Sequence, residues 1–166
     1  MKYKETKKMS LKTSKGFTLL ELIITLAILA IVAGIAYPMF QRFAINGNLR
    51  TAARDLAADF ALYKERAVAE SRMYRIVLDV ANGNYDIRQC GATGSSCGGG
   101  YNSIQVKNLA NIANDITFDS GNTNDYFFQT RGTVTNGTIV LRNSKNSTGT
   151  ITINITGRTN VQFIMQ

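Results

Sequence analysis

The residues best placed to do chemistry stand at the start of the chain. Lys15-Gly16-Phe17-Thr18-Leu19-Leu20-Glu21 leads a basic segment into a long apolar run that carries one carboxylate, Glu21. From Leu22 to Ala36 there is no formal charge and only one hydroxyl, at Thr25. A lone acid at the mouth of such a run is costly in lipid unless it finds a partner. Cutting after the small residue Gly16 would strip the lysines and free an amine at Phe17, four residues from Glu21. In a neighbouring, axially shifted copy that amine would meet the Glu21 carboxylate. The pair offsets its own desolvation and sets the stagger between subunits.

The element that must carry these groups is a helix long enough to cross a bilayer. Leu22 to Tyr37 gives about 24 Å of helix, and Phe17, Leu19 and Leu20 bring it near the ~20 residues a span needs. The first 16 residues hold six lysines and one acid, so the rest of the +8 chain carries only +3. The basic leader stays on the cytoplasmic side by the positive-inside rule, and the bulk of the chain lies outside. A secretory signal would put its small-residue cleavage site after the apolar core. Here it comes before, so the hydrophobic helix is kept. A permanent membrane anchor is the plain alternative to a helix later extracted into an assembly.

Pro38 removes a backbone donor and disfavours helical geometry at Tyr37, which predicts a helix break there, as a kink or local melting. The pattern then resumes with Leu49, Ala52, Ala53, Leu56, Phe60, Tyr63 and Ala67 on one helical face. Arg50, Arg54, Asp55, Asp59, Lys64 and Arg66 occupy the others and read as solvated charge. One helix is expected from about Thr18 to about Glu70. From Met73 the period changes to that of strands, at 73–79, 85–88, 103–107, 116–118, 126–129, 138–142, 150–155 and 161–165. Asn82-Gly83, Asn136-Gly137 and Thr156-Gly157 punctuate them. A helix stripe followed by antiparallel strands predicts an α+β fold. Three segments are expected: a leader at 1–16, a transmembrane or filament-core helix at 17–45, and a globular head at 46–166. The head's solvent positions, rich in Thr and Asn, suit an extracellular surface.

Other chemistry is thin. There is no histidine among the 166 residues, which removes the commonest general base and metal ligand. No phosphate-binding loop or paired-carboxylate motif stands in a recognisable context, so no catalytic residue, cofactor or metal is expected. Asp115, Asp119 and Asp125, with Asn122 and Asn124 between them, do not match a calcium loop and read as solvated turns. Cys90 and Cys97 flank a Gly/Ser-rich segment and suit a small disulfide loop in an oxidising compartment; two free thiols are the alternative.

Gly16-Phe17-Thr18-Leu19-Leu20-Glu21 resembles the leader junction of type IV pilins and type II secretion pseudopilins, and Pro38 stands where that family usually has a proline. The resemblance implies cleavage between Gly16 and Phe17 by a prepilin peptidase, N-methylation of Phe17, and a role for Glu21 in subunit docking. It implies residence in the bacterial inner membrane before assembly, then the periplasm or a surface pilus. The implied partners are other pilins or pseudopilins, the peptidase and an inner-membrane assembly platform. Within the family, Tyr63–Glu70, Phe128-Gln129-Thr130-Arg131-Gly132 and Ile153–Arg158 are similar to the H-type pseudopilins and the FimT/FimU minor pilins. The reading that follows is a minor pilin acting in pilus initiation or at the tip, with an H-type pseudopilin as the alternative. Some FimT-like proteins bind DNA through a Gly-Arg-x-Arg element. Gly157-Arg158-Thr159-Asn160 keeps the first arginine only, and fewer cations mean weaker phosphate binding. Arg158, with Arg131 and Arg142, is the candidate DNA contact.

Overall fold

The computed structural model describes residues 16–122 and 125–166. The lysine leader before Gly16, and Asn124, lie outside the described residues. The described residues up to Met39 form one unit and Phe40–Gln166 a second.

Helix α1 spans Leu19–Ala69. Thr18 starts it: its Oγ1 accepts a hydrogen bond from the Glu21 backbone N–H at 3.2 Å, and its carbonyl accepts from Leu22 N–H. That is an N-cap, with a glutamate three residues on. Of the kink or local melting expected at Pro38, the melting is absent, because α1 is helical through the proline. Proline cannot donate to the carbonyl of Gly34, so the helix continues with one bond fewer.

In the second unit the whole predicted stripe is buried, from Leu49 to Ala67. Eight strands follow: β1 (Arg72–Asp79), β2 (Asn84–Thr93), β3 (Tyr101–Asn108), β4 (Ile116–Phe118), β5 (Asp125–Phe128), β6 (Gly137–Asn143), β7 (Thr148–Ile153) and β8 (Thr159–Ile164). A one-turn helix α2, Leu109–Ile112, follows β3 and is capped by the Asn108 side chain. The strands form two antiparallel sheets, ordered β3-β2-β1-β5 and β4-β6-β7-β8.

Alternation decides which side chains enter the core. Tyr74, Ile76 and Leu78 of β1 point inward with Tyr85 and Ile87 of β2, Tyr126 and Phe128 of β5, Ile139 and Leu141 of β6, and Ile151 and Ile153 of β7. Phe60 of α1 packs edge-on to Tyr126, centroids 4.9 Å apart, and meets Phe128 at 5.4 Å. Residues 132–135 join the two sheets. Val134 bridges to Phe128, donates its N–H to the Ile155 carbonyl, and Thr135 N–H reaches the Phe127 carbonyl. The result is an α+β fold, with the second part of a long helix packed on antiparallel sheets.

Candidate functional site

The N-terminal residues come first. Gly16 and Phe17 precede α1 and have no regular structure. A Cβ built on Gly16 meets nothing within 4 Å, and Phe17 is 78% exposed. Glu21 lies in the first turn of α1, where the helix dipole favours an acid. Its carboxylate makes no ion pair or side-chain hydrogen bond among the described residues. An 18-residue window of α1 is apolar enough to cross a membrane, and none of it is buried. The Thr18–Glu21 cap was legible as a threonine followed three residues later by a glutamate; the sequence reading passed over it.

The other end of α1 carries the motifs around Arg131 and Arg158. Gly132 and Gly157 both have left-handed backbones, at φ +81° and +71°. Both turns close on Lys64. A Cβ at Gly157 would lie 2.6 Å from Lys64 Cδ and 2.9 Å from Val134 Cγ2, and one at Gly132 would lie 3.4 Å from Val68 Cγ2 and 3.8 Å from Lys64 Cε. These positions take glycine for its backbone freedom and for the space the lysine stem occupies. The packing brings Arg131 and Arg158 to the same end of the helix, both exposed and without an acidic partner among the described residues. Arg142 is different. Its guanidinium is 2.7 Å from the Asp119 carboxylate, and that hydrogen bond holds the Asp119 carboxyl below the usual carboxylate range.

The three aspartates weighed as calcium ligands go to separate partners. Asp119 pairs with Arg142, Asp125 with Arg75 at 2.8 Å, and Asp115 accepts from Ser144. No cluster of potential metal ligands occurs among the described residues.

Asp59 was expected on a solvated face and is instead 6% exposed. It accepts from Tyr85 Oη at 2.6 Å and from Lys107 Nζ at 2.7 Å. Burial pushes the Tyr85 hydroxyl far above its ordinary value, and the adjoining Asp59 raises it further. A buried acid with two donors ties α1 to β2 and β3 and holds no reactive group in reserve.

Cys90 and Cys97 form a disulfide with Cα atoms 5.7 Å apart. Arg72 donates to the Cys90 and Gly91 carbonyls, and Gly94 N–H reaches the Ser71 carbonyl. The stapled loop is thereby fastened to the junction between α1 and β1.

The chain matches the prokaryotic N-terminal methylation motif over residues 11–37 and the type II transport protein GspH family over residues 52–157. No curated protein sequence matches it. Among solved structures, the minor pseudopilin EpsH from the type 2 secretion system of Vibrio cholerae is similar at 14% identity and TM-score 0.56, with 69% of this chain and 96% of that chain covered. The type IV minor pilin FimU of Pseudomonas aeruginosa is similar at 18% identity and TM-score 0.54, with 72% and 92% covered. At these identities the likeness is one of fold. The methylation motif, the GspH match and the helix-on-sheets architecture together show that this chain belongs to the GspH family of the type IV pilin and pseudopilin superfamily.

Proposed function

We propose that this chain is a non-catalytic filament subunit, a minor pilin of a type IV pilus acting in initiation or at the tip. The observation that carries the subunit role is the N-terminal rod: an apolar helix, uncovered among the described residues, with one acid in its first turn that has no ion-pair partner among them, behind the exposed residues Gly16 and Phe17. Prepilin peptidase cuts that bond and Phe17 is N-methylated. The rod rests in the inner membrane with its leader in the cytoplasm. It is then drawn by the assembly platform into a bundle of like rods, where Glu21 meets the cationic chain start of a neighbour. Residues 17–45 form the rod and 46–166 the head.

A surface pilus, as opposed to a periplasmic one, is supported by the head's Thr- and Asn-rich exterior. The second reading, an H-type pseudopilin of a type II secretion system, is favoured by the description of the matched family. Deletion of the gene separates the two. Loss of surface pili with secretion intact supports the pilus, whereas retained exoproteins with normal piliation assign the secretion machine. DNA contact through Arg131 and Arg158 is a third reading, in which Arg142 is already engaged by Asp119. A mobility shift on the head with Arg158→Ala tests it: an unchanged or absent shift removes it.

A further inference from the structure

Asparagine is a thermolabile side chain. It is weakest before glycine, whose amide nitrogen has no neighbouring Cβ to screen it. Asn-Gly occurs three times in this chain, as Asn46-Gly47, Asn82-Gly83 and Asn136-Gly137. The fold treats the three pairs differently.

Asn46-Gly47 lies inside α1, where the Gly47 N–H is bonded to the carbonyl four residues back. Asn46 Oδ1 also accepts from Asn143 Nδ2 at 3.0 Å. Gly137 opens β6 opposite Ile153. At the turn between β6 and β7, the Asn143 N–H donates to the Ser147 carbonyl. Hydrogen-bonded pairs recur at every second residue of an antiparallel ladder, so Gly137 and Ile153 exchange both bonds. Both of these glycine nitrogens are held in a regular element.

Asn82 and Gly83 instead lie in the turn between β1 and β2, with Asn82 exposed. Among the described residues the Gly83 N–H has no acceptor. A Cβ on Gly83 would meet nothing within 4 Å, so the turn is open around it. Asp79 accepts from the Asn82 backbone N–H at 3.1 Å and from Nδ2 at 2.7 Å. These bonds hold the carboxamide at the turn through its nitrogen. They leave its carbonyl end without a partner among the described residues.

We infer that Asn82 is a site of self-modification in the folded head. The Gly83 nitrogen attacks Asn82 Cγ, and a new C–N bond forms. The bond from Cγ to Nδ2 breaks. Nδ2 leaves as ammonia, taking from solvent the equivalent of the proton that Gly83 released. Water then opens the cyclic imide at either carbonyl. The products are aspartate at position 82, or isoaspartate with one methylene added to the main chain. Water is the only co-reactant, and nothing is oxidised or reduced. Either product sets a carboxylate against Asp79 where an amide had donated, and like charges repel. The Asn82 side-chain bond that holds Asp79 below the usual carboxylate range is lost. The turn also walls a groove of about 670 Å³ through Asp79, Val80 and Ala81. The charge at that groove therefore records how long the subunit has existed. This inference stands apart from the filament reading.

The test ages the full-length chain, purified in detergent, in mildly alkaline water enriched in heavy oxygen. Peptides are mapped by mass spectrometry, with electron-transfer fragmentation to separate isoaspartate from aspartate. A second sample is held in urea with the disulfide reduced. In the folded chain Asn82 should convert roughly fivefold faster than Asn46 or Asn136, the factor one backbone hydrogen bond is worth. Its products should include isoaspartate and carry heavy oxygen. In urea the three rates should converge, because the protection is structural. Asn82 left intact in the fold, or converted no faster than the other two, overturns the inference. Aspartate without isoaspartate marks direct hydrolysis and overturns it as well. A lead for Asn82 that persists undiminished in urea belongs to the local sequence and overturns the structural argument.

Discussion

Lys107 on β3 places its ammonium 2.7 Å from both carboxylate oxygens of Asp59 on α1. Forty-eight residues of chain separate the two, so the contact fixes how the first sheet lies on the helix. Tyr85 Oη completes the group. Asp59→Ala leaves a buried hydroxyl and an ammonium without their acceptor, and should cost the head about 3–5 kcal/mol. Tyr85→Phe should cost about 1.5–3 kcal/mol, the worth of a hydrogen bond to a charged group. Urea unfolding of the isolated head checks both, provided the single variants are compared with the double variant. A coupling near zero would show that the two side chains act independently.

The same tyrosine sets an alkaline limit. Its hydroxyl is held neutral in the fold by burial and by Asp59, so its folded pKa lies above its unfolded one. The stability it contributes is complete below pH ~10, where the unfolded tyrosine is still protonated. It declines as pH rises beyond that, because only the unfolded chain releases the proton. Tyr85→Phe should flatten the fall in stability between pH 9.5 and 11, measured by denaturant midpoints.

At acid pH the sign reverses for Asp119. The hydrogen bond from Arg142 lowers its pKa, so its contribution is present above the ordinary aspartate value and is lost as pH falls through the depressed one. The carboxylate is exposed, so Asp119→Asn should alter stability between pH 2 and 4 only slightly, and less at high salt. The chemical shift of the Asp119 carboxyl carbon follows the titration directly.

Gly157→Ala meets both obstacles at once, a left-handed backbone and the Lys64 stem. It should destabilise the head by roughly 1–3 kcal/mol. Adding Lys64→Ala should recover the part due to the lysine stem and leave the Val134 contact at 2.9 Å and the backbone part. If Gly157→Ala proved neutral in thermal unfolding, the glycine would not be needed for this packing.

At the far end of the helix, Glu21→Ala should leave membrane insertion intact and lower recovery of the chain in sheared filaments or isolated pseudopili. Normal incorporation would remove the docking role. Replacing Gly16 with a bulky residue should leave the unprocessed chain in the inner membrane, visible as a slower band. A mature N-terminus other than Phe17 would refute the cleavage site.

The elements that were legible in the sequence are those whose signal is local. The stripe from Leu49 to Ala67 follows helical spacing, and alternation in Ile139/Leu141 and Ile151/Ile153 marks the strands within two residues or so of their bounds. What escaped depends on distant partners. Asp59 looks like any helix-surface acid until β3 delivers Lys107. β1 lies between β2 and β5, and nothing in Arg72–Asp79 names a partner almost fifty residues on. Asn122 reads as loop, yet its side-chain amide both donates to and accepts from the Val140 backbone, completing the row of bonds that β4 begins. The melting expected at Pro38 failed in the other direction. A local breaker was overruled by the helical hydrogen bonds on either side, which outweigh the one that is missing.

The bridge from Cys90 to Cys97, fastened by Arg72 and Ser71 to the end of α1, has one more implication. Thiols join only where the surroundings oxidise them. Under the location proposed above, a copy of the head recovered with both sulfurs paired is one delivered across the membrane, while one with both reduced is one held back on the ribosome's side. Two hydrogens of mass, read on the intact chain, become a passport stamp for each molecule.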